Sequence, residues 1–208
     1  MLEKCYTIQN NTRVFNFNTC LRYLNHLGQF KYGPGFTLSP DDREILHKLI
    51  SYATSSEEQC NAHSLDLRKG ILLTGPVGSG KTTLMTLLTA FMYPFQRYQV
   101  KNTREIAAEF NKEGFEVIQK YGYRPKVVCL DDLGVEQNIK YFGNECNTIG
   151  EVILHRYELY INQQIITHAT TNLNAAELEK WYGNRVRSRM REMFNLIGFP
   201  QTTPDKRK

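Results

Sequence analysis

Long apolar runs and paired cysteines are both missing from this sequence. No stretch of about 18 apolar residues occurs, which excludes a transmembrane helix, and the opening residues MLEKCYTIQN contain no apolar segment typical of a secretory signal. The five cysteines are widely spaced and form no CxxC pair, so neither a disulfide framework nor a zinc site is indicated. We therefore expect reduced cysteines, a cytoplasmic location and no membrane partner.

A strong excess of charge of either sign is also missing. The chain has 26 Lys and Arg residues against 21 Asp and Glu residues, a net charge of +5. This mild positive charge permits a polyanionic partner but does not indicate one. Hydrophobic residues make up 41% and charged residues 23% of the chain, which is typical of a globular protein and argues against extensive disorder.

Residues 1–65 predict a small helical segment at the amino terminus. Apolar residues recur at helical spacing from about residue 12 to Leu27, with Gly28 as the expected stop. Ser39 and Pro40 are typical of the start of a second helix. The polar stretch 54–64 is predicted to be a linker.

Residues 66–200 predict a second domain in which strands and helices alternate. This alternation indicates an α/β fold with a five-stranded parallel sheet flanked by helices, and such sheets bind ligands at the carboxyl ends of their strands. Residues 201–208 are predicted to form a basic tail. The predicted strands span 70–74, 98–100, 126–130, 164–169 and 194–197, and the predicted helices span 81–92, 103–121, 147–162 and 175–193.

One motif points directly to phosphate chemistry. Residues 75–82 fit the pattern GxxxxGK[ST], and they follow a predicted strand and precede a predicted helix, as the motif requires. Glycines let backbone N–H groups converge on phosphate oxygens, while Lys81 can reach the β- and γ-phosphates and Thr82 can ligate Mg²⁺. We therefore expect ATP and Mg²⁺ as cofactors, and the predicted binding residues are Gly75, Pro76, Val77, Gly78, Ser79, Gly80, Lys81, Thr82 and Thr83.

Polar side chains follow two further predicted strands. Asp131 and Asp132 end the third strand, where the first carboxylate can hold Mg²⁺ and the second can polarise an attacking water. For Asp132 the alternative is an ordinary solvated acid in a turn. Asn172 follows the fourth strand and could orient the water, while the alternative is that Asn172 or Asn174 caps the next helix.

The last predicted helix carries four arginines within seven positions. One interpretation is a solvated basic face; the other is an arginine finger, a guanidinium that neutralises transition-state charge on the transferred phosphate. The sequence pattern leaves both interpretations open. The arginines are Arg185, Arg187, Arg189 and Arg191.

Together these motifs resemble the AAA+ ATPases, and more narrowly the DnaC/DnaI helicase-loader family. The text that carries the resemblance is GILLTGPVGSGKTTL, VVCLDDLGVE, THATTNL and YGNRVRSRMREM, which spans residues 70 to about 198 and leaves residues 1–65 uncovered. The resemblance implies ATP hydrolysis at a subunit boundary, and therefore self-association, with a replicative helicase and single-stranded DNA as partners. It implies catalytic roles for Lys81, Asp132, Asn172 and Arg189, with Arg189 as the finger.

The chain departs from the AAA+ pattern after the last strand. No lid domain is evident, and Pro200, Gln201 and Thr202 stand where the family often has an arginine, so the sequence does not indicate a second sensor arginine in cis. We expect adenine recognition to come largely from upstream residues, with Phe36, Leu38 and Leu67 as candidate walls. Basic and aromatic residues near the second predicted helical region suggest single-strand contact, with a solvated surface as the alternative. These residues are Lys112, Lys120, Tyr121, Tyr123, Arg124 and Lys126.

Three other functions compete with helicase loading. A transposition-helper ATPase of the IstB type would use the same site for a different task. A nucleotide-gated binding module with little hydrolysis would lack a use for Asp132, Asn172 and Arg189 together. A metabolic kinase with a phosphate-binding loop is disfavoured because the sequence offers no basic lid over the phosphates.

Overall fold

A computed structural model describes residues 2–9, 12–136, 139–141 and 144–207. The first residue of the predicted arm and the last residue of the predicted tail, Met1 and Lys208, lie outside the described residues. The chain divides into two compact units, Met1–Leu67 with Thr83–Arg97, and Arg68–Thr82 with Tyr98–Lys208.

The first unit contains a β-hairpin as well as helices. Strands β1 (Tyr6–Gln9) and β2 (Thr12–Phe15) pair in antiparallel register, and helices α1 (Phe17–Tyr32), α2 (Arg43–Ala53) and α3 (Glu57–Ala62) follow. The prediction of a helix from about residue 12 was wrong, because α1 begins only after Asn16.

This unit departs from the sequence prediction in three places. The Asn16 side chain accepts a hydrogen bond from the Thr19 N–H at 3.0 Å and so caps the start of α1. Helix α1 continues through Gly28, and the Phe36 ring packs where a side chain at that position would lie. The predicted linker 54–64 instead contains α3, which buries Cys60.

The second unit is built on the predicted five-stranded sheet. Its strands are β3 (Gly70–Thr74), β4 (Gln99–Asn102), β5 (Val128–Leu133), β8 (Thr167–Thr171) and β9 (Phe194–Gly198), and a separate antiparallel pair, β6 (Ile139–Tyr141) and β7 (Asn144–Cys146), follows β5. The helices are α5 (Thr103–Glu113), α6 (Phe115–Ile118), α7 (Thr148–Gln163) and α8 (Ala175–Met193). Helix α4 (Lys81–Leu88) begins in this unit with Lys81 and Thr82, and its remaining residues belong to the first unit.

The strand order in the sheet is β4-β5-β8-β3-β9. All four strand pairings in this sheet are parallel, so the sequence prediction of the fold is confirmed.

The central strands are buried because both faces of the sheet are covered, and this holds even for β8, which reads THATT and is mostly polar. Every residue of β8 is buried, as are the first four residues of β3. Side chains of the helices complete this core, among them Phe110, Ile153 and Met190. Hydrophobic burial at about 25 cal/mol per Å² is therefore the main force that holds the sheet and its helices together.

The strand order decides where polar side chains meet. Strand β8 pairs with both β3 and β5, so the carboxyl ends of these three strands are neighbours at one edge of the sheet. The strand before Asn172 therefore lies beside the strand before the glycine-rich loop. Among the described residues, no helix is long and apolar enough to cross a membrane.

Candidate active site

A glycine-rich loop, residues 75–80, connects β3 to α4. Its three glycines, Gly75, Gly78 and Gly80, adopt positive φ angles of 149°, 78° and 94°. L-residues with a side chain rarely adopt such angles, so the loop can keep this path only with glycine at these positions. The path leads directly into the amino end of α4, which favours an anion.

Lys81, the first residue of α4, is nearly completely buried at 4% exposure. Its ammonium group donates to the carbonyl oxygens of Gly75 and Pro76, both at 2.9 Å, and to the Asn172 side-chain oxygen at 2.5 Å. Burial lowers the Lys81 pKa, while Asp132 and Asp131 act in the opposite direction. Lys81 therefore places a cation beside the loop and links it to the end of β8.

A hydroxyl–carboxylate cluster lies at the ends of β5 and β8. The Thr82 hydroxyl donates to both oxygens of the Asp131 carboxylate, at 2.9 and 3.0 Å, and the Thr170 hydroxyl donates to Oδ1 at 2.7 Å. Burial raises the pKa of Asp131, and the hydrogen bonds from Thr170 and Thr82 partly counteract that shift. The predicted metal ligands Thr82 and Asp131 are thus brought into direct contact.

Asp132 has an unusual backbone conformation. Its φ of 60° lies in the left-handed region, and the pairing of β5 with β8 shifts register between Leu130 and Leu133. Two threonines hold this kink in place. The Asp132 N–H donates to the Thr170 hydroxyl at 2.8 Å, and the Thr103 hydroxyl donates to the Asp132 carbonyl at 2.8 Å. The side chains of Asp131 and Asp132 are therefore set apart by the backbone, with Thr170 touching both residues.

The two asparagines after β8 have separate roles. Asn174 caps α8, because its side chain accepts from the N–H groups of Ala176 and Glu177, while Glu177 bonds back to the Asn174 N–H. Asn172 instead contacts Lys81. The capping alternative therefore applies to Asn174, and Asn172 is left facing the glycine-rich loop.

The structure does not bring Arg189 into this cluster of contacts. The guanidinium lies 4.3 Å from the centre of the Tyr157 ring, donates to the Tyr157 hydroxyl at 3.2 Å, and lies 3.5 Å from the Glu192 carboxylate. Its side chain is 38% exposed. Arg189 is therefore a surface cation supported by α7 and by its own helix.

Sequence reasoning missed two groups of residues at this site. The hydroxyls of Thr170 and Thr103 position the acidic residues, but single threonines carry no sequence signal. The second group is in the segment after β9, where Lys206 donates from its backbone N–H to the Gly78 carbonyl at 3.0 Å and from Nζ to the Ser79 carbonyl at 2.8 Å. Lys206, a residue of the predicted basic tail, thus contacts the glycine-rich loop.

The region expected to contact single-stranded DNA is partly engaged within the chain. Lys120 pairs with Glu109 at 2.8 Å, and the buried Tyr121 donates its hydroxyl to the same carboxylate at 3.0 Å. Four of the six residues remain exposed, namely Lys112, Tyr123, Arg124 and Lys126. The charge available to a nucleic acid here is smaller than the sequence suggested.

Other predicted binding residues lie in the first compact unit. Thr83 follows Thr82 within α4, and the candidate adenine walls Phe36, Leu38 and Leu67 belong to Met1–Leu67. Their roles stay predictions.

The donor set fits a magnesium-bound nucleoside triphosphate. Mg²⁺ binds through one or two protein oxygen ligands and completes its shell with water and phosphate oxygens, and Thr82 with Asp131 supplies such a pair. The loop supplies positive-φ glycines and a helix amino end, the features that cradle phosphates.

Comparison with known proteins identifies the fold. No model of a protein family matches the sequence, and no curated protein sequence matches it. The structure is similar to the DnaC helicase loader, with a TM-score of 0.57 and 19% identity over 80% of this chain and 94% of that one. It is also similar to DnaI, with a TM-score of 0.56 and 18% identity over 82% and 88% of the two chains.

A third similar structure is a replication initiator, AMPPCP-bound DnaA from Aquifex aeolicus. Its TM-score is 0.52 and its identity 19%, over 79% of this chain and 48% of that one. The chain therefore has a DnaC-like AAA+ fold.

Proposed function

We propose that this protein binds Mg-ATP and hydrolyses it as a cytoplasmic DNA-replication accessory of the helicase-loader type. The observation that supports this most directly is the hydrogen-bonded group of Lys81, Thr82, Asp131 and Asn172 at one edge of the sheet. Phosphoryl transfer needs mainly positioning and electrostatic stabilisation, and these four side chains supply a phosphate-facing cation, a metal-binding pair and an amide.

Each residue then has a defined task. The loop N–H groups and Lys81 bind the β- and γ-phosphates, and Thr82 with Asp131 holds Mg²⁺. When bound, the metal neutralises charge that develops on the phosphate oxygens. Asp132 polarises the attacking water and Asn172 orients it. The fixed backbone at Asp132 supports this assignment, because Thr103 and Thr170 leave that residue little freedom.

Arg189 completes the site of a neighbouring subunit in this proposal. The residue is partly exposed, and its guanidinium rests on Tyr157 rather than on the phosphate loop of its own chain. We therefore expect self-association and a rate of hydrolysis that rises more than linearly with protein concentration. Loss of an arginine finger typically costs about 10³-fold or more in rate.

A mixing experiment tests this arrangement. Lys81→Ala protein cannot bind ATP well but keeps Arg189, and Arg189→Ala protein has the opposite defect. The mixture should recover activity that neither variant has alone, and Arg185→Ala, which removes an exposed arginine of the same helix, is the matched control. If the mixture is as inactive as its components while assembly is verified by light scattering, Arg189 does not act in trans.

Partner binding is a separate part of the proposal. Support comes from the similarity to helicase loaders and from the exposed set Lys112, Tyr123, Arg124 and Lys126. A labelled single-stranded oligonucleotide should bind weakly with ATP present, and binding should weaken steeply as salt is raised, since phosphate contacts release counterions. No binding at low salt with ATP present would remove DNA as a partner. Co-elution of the full chain with a replicative helicase is the corresponding test for the protein partner.

A nucleotide-gated binding module is the second candidate function. It is favoured by the contacts that Arg189 already makes to Tyr157 and Glu192 within its own chain. This candidate predicts ATP-dependent assembly without turnover. Measurement of assembly and phosphate release on the same samples separates the two functions.

A further inference from the structure

One buried carboxylate close to the active site takes no part in the proposed chemistry. Glu136 is only 3% exposed and lies four positions after Asp132. Its Oε2 accepts from the Gly134 N–H at 2.9 Å, and its Oε1 accepts from the Trp181 indole N–H at 3.3 Å and from the Tyr182 hydroxyl in a short hydrogen bond. Burial of the phenol, with the Glu136 charge beside it, raises the pKa of Tyr182.

The two aromatic partners of Glu136 lie directly before a break in helix α8. Gly183 has φ 82° and ψ 162°, which is not helical, so the helix changes direction at this residue. A break in a helix frees carbonyl groups, and one of them is used here. The Trp181 carbonyl accepts from the side chain of Asn147, the capping residue of α7, at 2.9 Å. Glu136 and Asn147 therefore hold the break from two sides.

The helix segment after the break carries the arginine series. Residues 184–193 present Val186, Met190 and Met193 to the core, while Arg189 lies against Tyr157. The direction of this segment depends on the torsion angles at Gly183, where a glycine backbone has many accessible conformations. Glu136 restricts that freedom because it binds both residues that precede the glycine.

We propose that Glu136 is a positioning residue that fixes the break at Gly183 and thereby aims the arginine segment at the active site of the neighbouring subunit. This inference rests on the proposed function of Arg189. The hydrogen bond from Gly134 anchors Glu136 to the same strand end that carries Asp131 and Asp132. A single carboxylate thus connects the acidic end of β5 to the helix that presents the arginine.

The kinetic test separates positioning from nucleotide binding. Glu136→Ala should leave the affinity for Mg-ADP within about twofold and lower kcat roughly 10- to 100-fold, since misplacement of a catalytic group by about 1 Å costs on that order. Tyr182→Phe removes one of the three hydrogen bonds to Glu136, so its kcat should lie between those of Glu136→Ala and wild type. Glu179→Gln, a change at an exposed acid on the same helix, should behave as wild type. An unchanged kcat in folded Glu136→Ala protein overturns the proposal.

Subunit mixing shows on which side of the boundary Glu136 acts. Glu136→Ala is placed either in the Lys81→Ala subunit, which donates the arginine, or in the Arg189→Ala subunit, which binds ATP. Recovered activity should fall roughly 10- to 100-fold only when the change is in the donating subunit. A loss confined to the ATP-binding subunit, or equal losses in both, overturns the proposal, because a merely structural role would not distinguish the two subunits.

A spectroscopic readout is independent of hydrolysis. Trp181 is the only tryptophan of the chain, so its emission reports on the break directly. Glu136→Ala should shift that emission and raise amide exchange in residues 184–191. Glu136→Gln keeps one acceptor oxygen but places an NH2 group opposite an N–H donor, so it should restore only part of both. If the parental mixture recovers no activity, the proposed function of Arg189 fails. The claim that Glu136 fixes the break is still decided here, since unchanged emission and exchange contradict it.

Discussion

Thr170 offers a sharp test of how the acidic residues are held. Its hydroxyl is fully buried, donates to Asp131 at 2.7 Å and accepts from the Asp132 N–H at 2.8 Å. Thr170→Val keeps the shape but removes both hydrogen bonds. The bond to a charged carboxylate is worth about 1.5–3 kcal/mol and the bond from the N–H about 1 kcal/mol, while the added methyl group offsets about 0.8 kcal/mol. We expect the free energy of unfolding to fall by about 2–3 kcal/mol.

The matched control is Thr170→Ser, which keeps the hydroxyl and loses one methyl group. That change should cost about 1 kcal/mol, the value of one buried methyl. Urea unfolding of wild type, Thr170→Val and Thr170→Ser gives their stabilities. Calorimetry with Mg-ADP gives their affinities for the nucleotide, which should be lower in Thr170→Val and nearly unchanged in Thr170→Ser. If the Val protein is as stable as the Ser protein and binds equally well, the threonine does not hold the acidic residues.

Two further predictions concern stability. Burial lowers the pKa of His168 to about 3, and its Nδ1 accepts from the Ile71 N–H. A histidine in the unfolded chain titrates near 6.5, so the contribution of neutral His168 to the free energy of unfolding is fully present above that pH and is lost as the pH falls. We expect a loss of about 2 kcal/mol between pH 7 and pH 5, and urea unfolding of His168→Asn protein should show a smaller loss over this range. Gly78→Ala should cost about 1–2 kcal/mol because φ is positive and the Asp205 carboxylate occupies the space, whereas Gly35→Ala, with open space and no positive φ, should be neutral in the same assay. If the pH dependence of the free energy of unfolding is the same in His168→Asn protein as in wild type, the account of His168 is wrong. If Gly78→Ala protein is as stable as wild type, the account of Gly78 is wrong.

Much of the second unit follows from local sequence signals. An apolar run before a glycine-rich loop predicts β3 and the start of α4, and the alternation of strands with helices predicts the parallel sheet. The pairing of Thr82 with Asp131 also follows, because carboxyl ends of parallel strands share one edge. These features depend on short-range patterns and on the common direction of the strands, whereas the order of the strands in the sheet was not predicted.

The features that sequence reasoning missed have three different physical causes. The hairpin β1–β2 was hidden because Val14, Phe17 and Leu21 happen to have helical spacing, although Asn16 separates strand from helix. The break at Gly183 gives no periodicity signal, since the apolar residues on both sides remain in the core. The contact of Lys206 with the glycine-rich loop joins residues more than a hundred positions apart, which no local pattern can predict.

The central claim is that this loop binds the phosphates of Mg-ATP through Lys81. Calorimetric titration of Mg-ATP into wild type and Lys81→Ala protein tests it most directly, with Lys112→Ala as a control that removes an exposed lysine. Loss of a charge-assisted contact of about 1.5–3 kcal/mol predicts roughly 10- to 150-fold weaker binding for Lys81→Ala, and unchanged binding for the control. Equal affinity of Lys81→Ala and wild type for Mg-ATP would contradict the account.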